Sequence, residues 1–130
     1  RHLEGRRRVV VGDLTCLHDQ GALPLVRAHG LQAVVFNNQG GSIFGMLPFD
    51  TVEGFDTVFR NAHAQPLAPL AAAHGLRTAV VEDAAALDAA LADADVDFIE
   101  ARFAHDATIA ALQALHRDTC AALRTAWGLS

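Results

Sequence analysis

Apolar runs of strand length alternate along this chain with stretches of helical spacing. RRRVVVGD (6–13) reads as a buried strand, a β-branched run closed by Gly12. Leu17, Leu23 and Val26 recur at helical spacing and predict a helix over 18–29. Gly21 and Pro24 interrupt it near its start, and Gly30 stops it. QAVVFN (32–37) is a second buried strand, and its unbroken apolar character suits a parallel sheet covered on both faces. A short helix is predicted over 42–47, ended by Pro48. The stretch 49–65 has no sustained period and reads as a long loop. Then follow a helix over 66–75, a strand over 77–81, a helix over 83–94 with Asp83 as N-cap, and a strand over 97–103. Last comes an amphipathic helix from Asp106 to about Trp127, with Ile109, Leu112, Leu115 and Leu123 on or near one face.

Alternation of this kind predicts an α/β fold: a doubly wound, mostly parallel sheet with helices on both faces. At 130 residues the chain supports a single domain (1–130) with its own core. It opens on Arg1 rather than Met, so a piece of a longer protein is expected. No apolar run nears the roughly 20 residues of a membrane span. The net charge of −5 argues against nonspecific nucleic-acid binding. Arg6, Arg7 and Arg8 form the one basic spot, read as a solvated lead-in to the first strand. Cys16 and Cys120 are far apart and form no CxxC. They fit a reducing cytoplasm, each as a small apolar filler.

The chemistry gathers where two strands end. Asp13 follows the first strand and Asn37–Asn38 the second, about 25 residues on, with one helix between. A β-α-β unit brings both ends to the carboxyl edge of the sheet, where open α/β sheets bind ligands. A carboxylate from Asp13, a carboxamide from Asn38 and the carbonyls of Gly40 and Gly41 are hard oxygen donors of the type that Mg²⁺ or Ca²⁺ prefers. Mg²⁺ usually completes its shell with phosphate and water. A short helix starting near Ser42 would point free N–H groups at an anion. Together these pieces suggest a diphosphate held by a divalent metal.

The strings GDL (12–14) and NNQGG (37–41) resemble the thiamine-diphosphate motif, in which GD and a downstream NN bracket the metal–diphosphate site. Within that superfamily, GDLTCLHDQGAL followed by NNQGGSIFGMLP is similar to the 2-succinyl-5-enolpyruvyl-6-hydroxy-3-cyclohexene-1-carboxylate synthases of menaquinone biosynthesis. GDL replaces the GDG of acetolactate synthases and pyruvate decarboxylases. FRNAHAQPLAPLAAAHGL (59–76) is a weaker match to the next segment. The resemblance covers Val9 to Phe103 and implies a partial thiamine-diphosphate-binding domain. It also implies Mg²⁺ and thiamine diphosphate as cofactors, with Asp13, Asn38 and Gly40 as metal ligands. Gly12, Leu14, Thr15, Gly41, Ser42 and Ile43 would surround the diphosphate. Ile43, Phe44 and Leu47 would form an apolar wall near the reacting carbon, or else pack as the core of a short helix.

The implied activity is a carbon–carbon bond-forming transfer. The whole enzyme would decarboxylate 2-oxoglutarate and add the resulting carbanion to isochorismate, in the cytoplasm. The remaining domains and a second subunit would be its partners. No catalytic residue is assigned here, because the ylid-activating glutamate lies on another domain in that family; the isolated segment is expected to be inactive. Glu53, Glu82 and Glu100 read as surface or strand residues. Another thiamine-dependent 2-oxoacid decarboxylase, an acetolactate-type synthase and a noncatalytic α/β module are the alternatives. Seven histidines, at 2, 18, 29, 63, 74, 105 and 116, show no H-x₃-H spacing that would suggest zinc. His18 reads as an exposed helix-start residue. Arg60 and His63 could face the site or tie the loop down.

Overall fold

The computed structural model describes residues 5–48 and 51–128; His2 and the first two positions of the predicted loop lie outside them. The described chain runs β1 (Arg7–Gly12), α1 (Asp13–His18), α2 (Leu23–Ala28), β2 (Leu31–Asn37), α3 (Phe55–Val58), α4 (Leu67–Ala73), β3 (Thr78–Val81), α5 (Ala84–Ala92), β4 (Phe98–Arg102) and α6 (His105–Trp127). Short 3-10 helices cover Gln20–Ala22 and Ser42–Met46. The four strands form one sheet in the order β1-β2-β4-β3, and every neighbouring pair is parallel. The doubly wound α/β architecture is therefore present.

Strand alternation sorts the core into two layers. Ala33, Val35 and Phe98 point to one face, where they meet Cys16, Leu23, Val26, Leu67 and Ala71 from α1, α2 and α4, and Leu76 just beyond α4. Val34, Ile99 and Ala101 point to the other, against Val81 and Ala90. Asp83 caps α5 as expected, its Oδ1 accepting the Ala86 N–H at 2.8 Å.

Several details differ from the sequence reading. β1 is an edge strand, not a buried one: Val9 and Val10 are exposed, because among the described residues no strand lies beyond it. The helix predicted over 18–29 starts at Asp13 and breaks at His18. Pro24 then restarts it, since proline fits the first helical turn and disrupts an interior. The arginine cluster is not merely solvated. Arg6 donates to the Asp93 and Val96 carbonyls at 2.7 Å each, and Arg7 to the His29 carbonyl at 2.7 Å. Arg8 donates to Gln32 Oε1 at 2.9 Å and to the Leu91 carbonyl at 2.8 Å. These contacts staple the start of the edge strand to β2, to the end of α2, and to the last turn of α5 and the loop after it. Cys120 is exposed on α6 rather than a filler, whereas Cys16 is in the core.

α6 forms where its pattern predicts, but none of its residues is buried. Its contact is with the 3-10 helix over 42–46, where Ile109 lies against Gly45. A Cβ on Gly45 would sit 2.9 Å from Ile109 Cδ1, so a larger residue there would make the Ile109 side chain shift. Leu112, Leu115, Leu123 and Trp127 remain exposed. No described helix is long and apolar enough to cross a membrane.

Phe98 sits at the centre of the first layer with no exposed surface. Phe98→Ala is expected to destabilise the fold by about 3–5 kcal/mol, read as a lower midpoint in chemical denaturation with little change in slope.

Candidate functional site

Parallel register sets the site. Gly12 pairs with Phe36, so Asp13 leaves β1 level with Asn37 at the end of β2. Asn37 in turn pairs with Arg102 at the end of β4. Three strand ends thus meet at the carboxyl edge, and Asp13 and Asn38 share one rim.

Asp13 is 3% exposed, so its carboxylate oxygens must be answered by donors. Oδ1 accepts the Leu14 N–H at 2.7 Å, and Oδ2 accepts the Gly40 N–H at 2.9 Å. The second bond ties the end of β1 to the loop after β2. Each oxygen keeps a further lone pair.

The double asparagine divides its work. Asn37 is buried; its Nδ2 donates to Glu100 Oε1 at 2.7 Å, and its Oδ1 accepts the Gln39 N–H at 3.0 Å. This Asx-type turn sends the chain into left-handed backbone, φ 64° at Gln39 and 131° at Gly40. A Cβ on Gly40 would lie 2.7 Å from the Arg60 carbonyl oxygen, so only glycine fits there. Asn38 is half-buried, and no described residue hydrogen-bonds to its carboxamide.

Residues 60–63 press on this loop from outside. The Arg60 carbonyl accepts the Gly41 N–H at 2.6 Å, and the Gln39 carbonyl accepts the His63 N–H at 3.3 Å. His63 Nε2 lies 3.2 Å from Asp13 Oδ2, with both side chains largely buried. Arg60 Nε lies 2.9 Å from Asp56 Oδ1. Of the two loop residues that sequence left open, His63 therefore faces Asp13.

The expectation of free N–H groups near Ser42 holds only in part: no described residue accepts the Ile43 N–H, whereas the N–H groups before it are engaged. Gln39, Gly40 and Gly41 donate as above, and the Ser42 N–H bonds the Gly40 carbonyl at 2.8 Å, because the left-handed turn folds these donors inward. The buried Ser42 hydroxyl pairs with His105 Nδ1 at 2.7 Å, which ties the loop to the start of α6. Gly12 and Thr15 are exposed, and Leu14 is half-buried beside Asp13. Ile43 is 70% exposed and Phe44 39%, so the two do not serve as interior packing; Leu47 is half-buried.

Glu100 is the residue that sequence reading undervalued. It is a strand residue, as read, but has no exposed surface. Burial pushes its carboxyl up. The opposing Arg102 guanidinium, the Ala68 N–H and the Asn37 carboxamide more than offset that and hold it below the ordinary range. Its Oε1 accepts from Arg102 Nε at 3.0 Å, and its Oε2 accepts the Ala68 N–H at 2.8 Å. Glu100 thus orients Asn37 and holds the start of α4. Cys16 lies beneath the same corner; burial, then the charges of Glu100 and Asp13, push its thiol up and keep it unreactive.

The donors fit a hard divalent cation: a carboxylate with lone pairs to spare, an untethered carboxamide and a loop carbonyl. Among the described residues no three His, Cys, Asp or Glu side chains cluster for a metal, so amide and carbonyl oxygens must supplement Asp13.

No family model matches the chain. Its curated relatives include 2-succinyl-5-enolpyruvyl-6-hydroxy-3-cyclohexene-1-carboxylate synthases from several organisms. The one from Renibacterium salmoninarum is 43% identical over 84 residues, covering 57% of this chain and 15% of the relative. The one from Chloroflexus aurantiacus is 37% identical over 86 residues, covering 64% and 15%. The one from Shewanella amazonensis is 36% identical over 112 residues, covering 82% and 20%. The chain therefore spans a fifth or less of the length of these relatives.

Removing the Glu100 carboxylate leaves the Asn37 amide and the Ala68 N–H without acceptors. Glu100→Ala is expected to cost roughly 3 kcal/mol or more, measured by denaturant unfolding. The folded carboxyl titrates below its ordinary 4.5, so its contribution is complete above that value and is lost as the pH falls through the lower folded one. Wild type should lose stability on acidification below about pH 4.5, and the alanine variant should show a shallower loss.

Proposed function

This chain belongs, over part of its relatives' length, to the 2-succinyl-5-enolpyruvyl-6-hydroxy-3-cyclohexene-1-carboxylate synthase family, and on that premise we propose that it holds the metal–diphosphate end of thiamine diphosphate. The observation that carries this reading is the Asp13 carboxylate, locked between the end of β1 and the Gly40 N–H at the end of β2. Asp13, the Asn38 carboxamide and the Gly40 carbonyl are the proposed Mg²⁺ ligands. Gly12, Leu14, Thr15, Gly41, Ser42 and Ile43 surround the diphosphate. The N–H groups of residues 39–42 are engaged within the protein, so the metal carries much of the diphosphate's charge neutralisation, with the Ile43 N–H left to contribute.

Ile43, Phe44 and Leu47 form the apolar wall of the reaction space. The exposure of Ile43 and Phe44 supports this, since side chains that packed only inward would not be left open. When bound, thiamine diphosphate supplies the carbanion-stabilising centre, so this chain needs no nucleophile of its own. The chain's residues orient and neutralise; fixing the cofactor's position is their contribution to rate.

The complete protein is proposed to decarboxylate 2-oxoglutarate and add the succinyl unit to isochorismate, in menaquinone biosynthesis in the cytoplasm. Its further domains and a second subunit complete the site.

In the complete protein, Asp13→Ala is expected to lower Mg²⁺-dependent affinity for thiamine diphosphate at least tenfold, about 1.4 kcal/mol, by calorimetry. Unchanged affinity would overturn the assignment. Product analysis should give the 2-oxoglutarate–isochorismate adduct. Acetolactate formed from pyruvate alone would instead point to an acetolactate-type synthase.

A further inference from the structure

His63 is placed by two separate sets of contacts. Its backbone N–H bonds the Gln39 carbonyl at 3.3 Å, and its neighbour Arg60 accepts from Gly41 at 2.6 Å, so the segment is laced to the loop that carries Asn38 and Gly40. Its ring is fixed as well. Nδ1 accepts the Gln65 N–H at 3.2 Å. A nitrogen that accepts cannot carry the proton, so the neutral imidazole is the Nε2–H tautomer. That donor lies 3.2 Å from Asp13 Oδ2. It is buried and makes no properly directed hydrogen bond with any described residue.

Burying an unsatisfied donor costs about 1–3 kcal/mol, and the fold keeps this one beside a carboxylate it could steady. Two non-glycine residues in left-handed backbone, Gln39 and Asn61, flank the contact, one on each segment. Strain of this kind persists where the surroundings enforce it, and it clusters at functional sites.

We propose that His63 is the positioning residue of the Asp13 carboxylate: its Nε2–H steadies Oδ2 and so sets which lone pairs Asp13 presents to the bound cation. The proposal rests on the metal-site reading above. His63 acts through Asp13, as outer partners of metal ligands do, and removal of such partners typically costs 10–100-fold in metal affinity.

The test uses the complete protein, saturating thiamine diphosphate and Mn²⁺ as the probe, with free Mn²⁺ counted by electron paramagnetic resonance. His63→Phe keeps the ring's bulk and removes the donor; its Mn²⁺ affinity should fall about 10–100-fold. His63→Gln returns an N–H near the Nε2 position and should stay within about threefold of wild type, a gap under 1 kcal/mol. Thermal midpoints without metal are read in parallel. A Phe variant that binds Mn²⁺ as wild type does would overturn the proposal. So would a Gln variant that folds normally yet loses as much affinity as the Phe variant. If the Phe variant does not fold, the Gln variant decides: affinity within threefold upholds the role, and a loss beyond tenfold refutes it. Asp13→Asn separates the two readings. Loss of Mn²⁺ binding there with a wild-type His63→Phe sinks only the role of His63, whereas unchanged binding in Asp13→Asn sinks the metal site itself.

Discussion

A carboxylate survives burial only if its oxygens are answered, and at Asp13 the answering donors come from different parts of the chain. Leu14 supplies one N–H from the helix that follows β1; Gly40 supplies another from the loop after β2. One side chain thereby joins two strand ends. The loop's left-handed path, the turn at Asn37 and the approach of residues 60–63 are all compatible with that single junction. A neutral side chain would accept more weakly, and nothing else in the described corner would draw the Gly40 N–H inward.

Beneath this junction lies a second buried acid. Glu100 fastens Asn37 from the β4 side and α4 from above, so the end of β2 is held by an acidic group on each flank. The arrangement frees Asn38 by engaging Asn37. One asparagine builds the turn while the other keeps an oxygen for a ligand. This division explains why two amides in succession serve better than one.

Much of this was legible in the sequence. The alternation of strands and helices followed from apolar periodicity, and the shared rim of Asp13 and Asn38 followed from the β-α-β rule. The exposure of β1 was not legible, because three valines in a row read alike at the edge of a sheet and at its centre. The break after His18 was signalled by Gly21 and Pro24, but its position was not. Glu100 left a usable trace: it stands within an apolar strand of a sheet covered on both faces, where either parity is buried. His63 left none. It sits in a segment without period, and its place depends on a backbone approach that only the missing Cβ of Gly40 allows. The apolar pattern of α6 predicted the helix, but not the exposure of its apolar face, since periodicity records what a helix can cover and not whether a partner lies within the described residues.

The strand order carries a consequence for the order of assembly. β3 is made before β4, yet β4 lies between β3 and β2. Among the four described strands, β3 is therefore made before the strand that it pairs with, and β2 before its second neighbour. Only when residues 98–102 arrive can the sheet close, and Glu100 arrives with them. The corner at Asn37 is thus completed by the last of the four described strands to be made, and a chain stalled before that point would carry Asp13 and both asparagines without the Glu100 contact that fixes Asn37.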